Sequence, residues 1–96
     1  MIAAKEDGPM DVRRLRYFCR VLESGSMSRA ATSLNVAQPA LSKSIQALEQ
    51  ELETELLQRT SKGTVATEAG ERLYEHAQII FTQIDRAKVE IRESMA

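Results

Sequence analysis

The segment that begins at Gln38 and Pro39 constrains the fold of this 96-residue chain more than any other. Proline is tolerated in the first turn of a helix, because its missing N–H has no intrahelical partner there. Apolar residues then recur at spacings of four, three and four, which places them on one side of a helix. This stripe consists of Leu41, Ile45, Leu48 and Leu52. The pattern predicts a helix from Gln38 to Glu53 with one buried face.

The opposite face of the same helix is polar and carries no acidic residue before Glu53. A Gln amide can pair with adenine, Ser can donate or accept, and Lys suits the O6 and N7 acceptors of guanine. We therefore predict that four side chains of this face read base edges in double-stranded DNA: Gln38, Ser42, Lys43 and Gln46. A face that is merely solvated is the alternative, and the residues alone leave it open.

Two helices are predicted before this one. Asp11 suits the N-cap of the first helix, which ends at Gly25. Ser26 suits the N-cap of a short second helix, with Asn35 as a left-handed terminator. A short helix, a three-residue turn and a helix with a polar outer face together form a helix-turn-helix, whose second helix enters the major groove by its N-terminal residues.

The helical pattern stops after Glu53, and residues 56–67 favour two short strands around a basic turn that contains glycine. Arg59 and Lys62 on this hairpin are predicted to reach phosphates or an adjacent minor groove. The unpaired N–H groups at the start of the second and third helices also favour phosphate oxygens.

A long helix capped by Thr67 is predicted to follow, with Glu68 and Glu71 placed favourably in its first turn. Its apolar residues recur in a heptad pattern, which is typical of helices that pair. They are Leu73, Ala77, Ile80, Ile84, Ala87 and Ile91. We predict a homodimer through this seam, and packing of the seam back onto the domain is the alternative.

Charge is distributed unevenly along a chain whose net charge is −1. Residues 11–48 contain six basic and two acidic residues, a local charge of +4 that a polyanion could bind. Four glutamates without a base follow in residues 49–58. We expect these four to keep the helix end soluble and not to hold a metal: Glu49, Glu51, Glu53 and Glu55.

The sequence lacks the residues that several classes of protein require for their chemistry. One cysteine and one histidine give neither an internal disulfide nor a zinc site, and no nucleophile–base pair supports an enzyme. We expect Cys19 to be a buried apolar residue and His76 to lie on the surface. No apolar run is long enough to span a membrane and the N-terminus is charged, so the chain is expected to be cytoplasmic.

Several separated motifs occur in a fixed order along the chain: Leu15-Arg16-Tyr17-Phe18, Ser24 to Ala31, Leu34, Gln38 to Ser42, Ile45, Leu48-Glu49, Leu52, Leu56 to Arg59, and Thr67 to Gly70. Together they resemble the N-terminal domain of LysR-type transcriptional regulators. The resemblance extends from about Asp11 to the end of the chain. It implies a mainly α, winged helix-turn-helix fold that binds operator DNA, with a two-stranded wing and a long C-terminal linker helix through which two protomers pair.

The resemblance also implies roles for single residues. Those matching Gln38, Pro39, Ser42 and Lys43 approach the bases, and the one matching Arg59 lies on the wing near the minor groove. Three others are implied to lie close to phosphates: Ser26, Ser28 and Thr32. Two positions depart from the family pattern, since Glu53 stands where glycine is usual and Lys43 where Arg or Gln is commoner.

We therefore expect the chain to consist of three segments: a flexible tail over residues 1–10, a DNA-binding domain over 11–67 and a dimerisation helix over 68–96. A single domain of this length leaves no room for the effector-binding domain of the family, so no cofactor or small-molecule site is expected. A dimer is expected to bind half-sites ~34 Å apart. A module that binds a protein partner through its long helix is the second hypothesis, and a small enzyme is the third.

Overall fold

The computed structural model describes residue 8 and residues 10–94, and it has four helices and one antiparallel pair of strands. The elements are α1 (Val12–Ser24), α2 (Met27–Leu34), α3 (Gln38–Leu52), β1 (Leu57–Thr60), β2 (Gly63–Ala66) and α4 (Glu68–Ser94). This architecture confirms the mainly α, winged helix-turn-helix fold that the sequence predicts. Most of the predicted N-terminal tail lies outside the described residues. Met10, at its end, donates its backbone N–H to Glu51 Oε1 at 2.7 Å.

The predicted caps of the first two helices are confirmed. The carboxylate of Asp11 accepts the backbone N–H of Arg14 at 2.8 Å, and Ser26 Oγ accepts that of Arg29 at 3.2 Å. Asn35 ends α2 in the left-handed conformation, with a φ of 59°. Asp11 sets the start of α1, while Ser26 and Asn35 set both ends of α2 and therefore the position at which α3 begins.

The C-terminal end of α3 is left-handed although it lacks a glycine. Glu53 has a φ of 57° and donates its N–H to the carbonyl of Glu49. The left-handed conformation costs about 1–2 kcal/mol for a residue that carries a Cβ. Helix α3 therefore ends in a left-handed turn at Glu53, the position at which the resemblance noted above implies glycine.

The hydrophobic core joins α1, α2 and α3, and both the segment before β1 and the first half of α4 complete it. Its fully or nearly buried members are Leu15, Phe18, Cys19, Val21, Ala30, Ala31, Leu41, Ile45, Leu48, Leu56 and Ala77. Three of the four stripe residues of α3 are therefore buried as predicted. The prediction is wrong for Leu52, which is 37% exposed, because α3 extends beyond the core there. Burial raises the pKa of the Cys19 thiol to about 11, and the thiol is inside the core as expected.

The long helix α4 is divided between two environments. Ala77 is fully buried in the core, and Leu73, Tyr74 and Phe81 pack against the core. The Tyr74 hydroxyl donates to Glu23 Oε2 at 2.8 Å, and this hydrogen bond raises the pKa of the phenol. Beyond this region Ile91 is 60% exposed. The predicted heptad seam thus packs back onto the domain in its first part and is uncovered in its second part.

The strands are held close to the helices by contacts that involve glycines. Thr64 donates its N–H to the carbonyl of Gly25 at 3.0 Å, which ties β2 to the turn between α1 and α2. Gly63 has a φ of 115°, and a Cβ there would lie 2.7 Å from that same carbonyl oxygen. At the start of α4, Thr67 Oγ1 accepts the N–H of Gly70 at 3.0 Å, which confirms the predicted cap.

No helix within the described part of the chain is both long enough and apolar enough to cross a lipid bilayer.

Replacing Gly70 with alanine is expected to destabilise the fold by about 2 kcal/mol or more, because the new Cβ would overlap the backbone carbonyl oxygen of Leu56. Backbone cannot move aside as a flexible side chain can. Chemical unfolding followed by circular dichroism measures the loss. Gly25→Ala is the control, since its Cβ meets no atom within 4 Å and its cost comes only from the φ of 71°. A Gly70→Ala variant no less stable than Gly25→Ala would contradict this explanation.

Candidate nucleic-acid interface

The outward side of α3 is open to solvent. Gln38, Pro39, Lys43 and Gln46 are exposed, and Ser42 is half-buried. Their orientation follows from burial of the opposite stripe, because a helix that buries one face must present the other. Within the part of the chain that the structure describes, no segment lies across these residues. A duplex therefore has a route to the whole predicted reading face.

The start of α3, the start of α2 and the wing, which is the hairpin of β1 and β2, meet around a cleft of about 260 Å³. This cleft is lined by Ser26, the N-cap of α2, by Ser28 from α2, by Gln38 from α3 and by Arg59 from β1, among other residues. Residues from three separate segments of the sequence are thus brought together. The cleft combines hydroxyl groups and a guanidinium, which are groups that bind phosphate oxygens in protein–DNA complexes.

A second cleft of about 210 Å³ continues from the first along the inner side of the wing. Ser42 and Gln46 of α3 face Arg59 and Gln58 of β1 across it. Arg59 lines both clefts and so links the predicted base-reading face to the predicted phosphate-binding face. Gln58 was not predicted as a site residue, and nothing in the sequence distinguished it from a solvated strand residue.

Thr32 and Lys62 occupy more peripheral positions. Thr32 is exposed on α2 and donates its hydroxyl to the carbonyl of Ser28 at 3.2 Å. Lys62 is exposed in the turn between the strands, where its backbone N–H donates to Thr60 Oγ1 at 3.1 Å. Neither residue lines the two clefts. Both could reach DNA only beyond the cleft margins.

The positive charge counted in the first half of the sequence is divided between two sides of the domain. The guanidinium of Arg16 lies 4.4 Å from the centre of the Phe81 ring, on the side of α1 that faces α4. Arg20 forms an ion pair with Glu23 at 3.9 Å and donates to Ser33 Oγ. These two arginines therefore line a cleft that borders α4 and not the clefts around α3.

Glu49 performs a role that the sequence analysis missed. Its Oε2 accepts the backbone N–H groups of Leu56 and Leu57 at 2.8 and 3.3 Å. A side chain of α3 thereby holds the first residues of the hairpin against the helix that carries the reading face. The sequence grouped Glu49 with the solubilising glutamates. Only its spacing of seven and eight residues from a buried chain segment could have distinguished it.

Groups suited to catalysis or metal binding are not brought together at this face. Cys19 is buried with a raised pKa and accepts a hydrogen bond from Gln78 at 3.7 Å, whereas His76 is exposed on α4. Among the described residues there is no group of three or more His, Cys, Asp or Glu side chains that could hold a metal ion.

The sequence profile of the "bacterial regulatory helix-turn-helix protein, lysR family" matches residues 12–71. The chain belongs to the LysR family. The matched region runs from the start of α1 into the first turn of α4, so it contains the helix-turn-helix, the wing and both clefts.

Curated relatives are transcriptional regulators considerably longer than this chain. The nitrogen assimilation regulatory protein nac of Klebsiella aerogenes is 44% identical over 82 residues, which is 85% of this chain and 27% of that protein. The regulator BenM of Acinetobacter baylyi is 42% identical over 77 residues, which is 80% of this chain and 25% of BenM. The chain thus spans about a quarter of the length of these LysR-family relatives.

Solved structures of LysR-family regulators have the same fold. The DNA-binding domain of BenM in a complex with catB site 1 DNA matches with a TM-score of 0.84 and 37% identity, covering 91% of this chain and 98% of that one. The DNA-binding domain of CbnR in a DNA complex matches with a TM-score of 0.83 and 37% identity, covering 91% and 100%. The described residues therefore form the helix-turn-helix domain of the LysR family.

Replacing Glu49 with alanine is expected to lower the free energy of unfolding by about 1–3 kcal/mol, because two partly buried N–H groups lose their acceptor. Glu49→Gln should retain much of this stability, since its amide oxygen can still accept. Urea unfolding measures both variants.

Glu55→Ala is the matched control, because it removes the same charge from an exposed position and is expected to change stability by less than about 0.5 kcal/mol. Equal effects of Glu49→Ala and Glu55→Ala would show that Glu49 acts only as a surface charge.

Proposed function

We propose that this chain binds operator DNA in a sequence-specific manner as the DNA-binding part of a bacterial LysR-type transcriptional regulator. The observation that carries the proposal is the geometry of α3. Its polar side is uncovered, and its N-terminal end lies beside a cleft that contains hydroxyl groups and Arg59. A helix with these properties fits the major groove, which is about 12 Å wide.

The proposed roles follow from position. Gln38, Ser42, Lys43 and Gln46 read base edges from the exposed side of α3, and Pro39 packs against the bases at its start. The remaining residues position the domain on the DNA backbone, with Arg59 close to the minor groove. This second group consists of Ser26, Ser28, Thr32, Arg59 and Lys62. Phosphate contacts orient a protein on the duplex, and base contacts select the sequence.

The likeness to solved DNA complexes supports the same function. The matched BenM and CbnR domains are described as complexes with DNA, and this chain covers nearly the whole of each domain. Because the regulatory relatives act on genes, we further propose a cytoplasmic location and no enzymatic activity. Burial of Cys19 and exposure of His76 on a different helix support the absence of a catalytic pair.

We also propose that the uncovered half of α4 forms a homodimer. The seam that remains available is Ile80, Ile84, Ala87 and Ile91, of which Ile80 is 37% exposed and Ile91 60% exposed. Ala77 has no accessible surface and Leu73 packs on the core, so we leave both out of the proposed seam. Regularly spaced apolar residues on a projecting helix are suited to pairing with a second copy.

Gln38→Ala is expected to weaken binding to a site selected from a randomised duplex library by about 1–3 kcal/mol, because a bidentate base contact is lost. Its affinity for a mixed-sequence duplex should change little. Gln83→Ala, an exposed glutamine on α4, is the control and should change neither affinity. Fluorescence anisotropy over a range of salt measures all three proteins. Weak duplex binding without salt dependence would favour a protein partner instead.

Ile91→Lys is expected to weaken self-association by about tenfold or more, since an apolar side chain that contributes about 1.5–3 kcal/mol on burial is replaced by a charge. Val89→Lys is the matched control, because Val89 is 49% exposed but lies on another side of α4. Sedimentation equilibrium measures both dissociation constants. Equal effects of the two substitutions would contradict the proposed seam.

A further inference from the structure

A groove of about 530 Å³ lies between α1 and the side of α3 that faces away from the wing. Arg13, Arg14 and Tyr17 form its α1 wall, and Lys43 and Gln46 form part of its α3 wall. The groove is continuous with the proposed base-reading face, because Gln46 also lines the cleft on the wing side of α3. We call it the α1–α3 groove.

The lining of the α1–α3 groove is cationic. It contains two arginines and one lysine, and none of its lining residues is acidic. Arg14 is already engaged, since it forms an ion pair with Asp11 at 3.7 Å and its Nε donates to Ser44 Oγ at 3.3 Å. The hydrogen bond to Ser44 joins α1 to α3 at this groove.

Arg13 is the side chain best placed to bind an anion there. It is exposed, and its guanidinium lies 5.7 Å from the centre of the Tyr17 ring. Within residues 10–94, no carboxylate lies at ion-pairing distance from Arg13 or from Lys43, which is exposed on the opposite wall. With respect to the described residues, Arg13 and Lys43 are therefore both available to bind an anionic ligand in this groove.

The geometry of a duplex indicates which ligand this is. A major groove has a sugar-phosphate backbone along each of its two edges, and a helix seated in it has one backbone on each side. The backbone contacts proposed above lie around the wing and the start of α2, which is one side of α3. The α1–α3 groove lies on the other side, where the second strand would pass.

Resting on the proposed function, we propose that the α1–α3 groove binds phosphates of this second DNA strand, with Arg13 as the principal ligand. A guanidinium can donate two parallel hydrogen bonds to a phosphate, which favours Arg13 over Lys43 for this role. Lys43 lies between Arg13 and the bases and adds positive charge to the same path. Tyr17 limits the directions available to the Arg13 side chain.

Arg13→Gln provides the test, with a fluorescent mixed-sequence duplex as the probe and salt as the variable. Loss of one phosphate contact should reduce the slope of log K against log salt by about 0.9 in magnitude. Raising the salt from 50 to 200 mM should therefore weaken DNA binding by Arg13→Gln about threefold to fourfold less than it weakens DNA binding by the unmodified chain. Arg13→Lys should restore most of the slope, because it restores the charge.

Arg86→Gln is the matched control, since Arg86 is an exposed arginine on α4 and its removal changes the net charge equally. Its salt slope should equal that of the unmodified chain. If the salt slope of Arg13→Gln also equals that of the unmodified chain, the inference is wrong. The proposed function would still hold in that case if Gln38→Ala weakens binding to the selected site as expected. A loss confined to the selected site would overturn the inference too, because that result indicates a base contact.

Single methylphosphonate substitutions in the selected duplex locate the contact. One neutral linkage should weaken binding of the unmodified chain and have no further effect on Arg13→Gln. That linkage should lie on the opposite strand from the linkages that are sensitive to Arg59→Ala. Coupling of both arginines to the same strand, or absence of any linkage coupled to Arg13, would overturn the inference.

Discussion

Burial of one side of α3 is the constraint on which the rest of this structure depends. Leu41, Ile45 and Leu48 are almost completely removed from solvent, and each contributes roughly 1.5–3 kcal/mol relative to an exposed side chain. This burial fixes the rotation of the helix about its axis. Gln38, Lys43 and Gln46 are therefore exposed as a direct consequence of core packing, and no separate interaction is needed to orient the reading face.

The wing has no comparable apolar core, and specific contacts hold it in place instead. Only Leu56, just before β1, is deeply buried, while most of β1 itself is exposed. The position of the wing is set by the Glu49 carboxylate, which accepts hydrogen bonds from two backbone N–H groups, and by the close approach of Gly63 to Gly25. Because Glu49 lies on α3, these hydrogen bonds connect the start of β1 directly to that helix. Arg59, two residues further along β1, lines the same cleft as Ser42 and Gln46.

Sequence patterns predicted the parts of the molecule that depend on periodicity or capping, and missed those that depend on tertiary contact. Asp11, Ser26 and Asn35 could be assigned because a cap requires only local chemistry. The separation of Arg16 and Arg20 from the other basic residues could not be predicted, because their side of α1 is defined by where α4 packs. Glu49 was missed for the same reason. The heptad pattern predicted a seam along α4 but could not distinguish a core contact from a dimer contact, because both require apolar side chains at the same spacing.

The division of α4 has a mechanical consequence for the proposed dimer. Ala77 and Phe81 join the first part of the helix to the core, and Tyr74 adds a hydrogen bond to α1. The proposed seam begins at Ile80, less than one turn beyond Ala77, within the same unbroken helix. A helix without a hinge transmits orientation, so pairing at the seam would fix the distance and angle between two α3 helices. Half-site spacing on the operator would then be determined by α4 packing, and base preference within each half-site by the exposed side of α3.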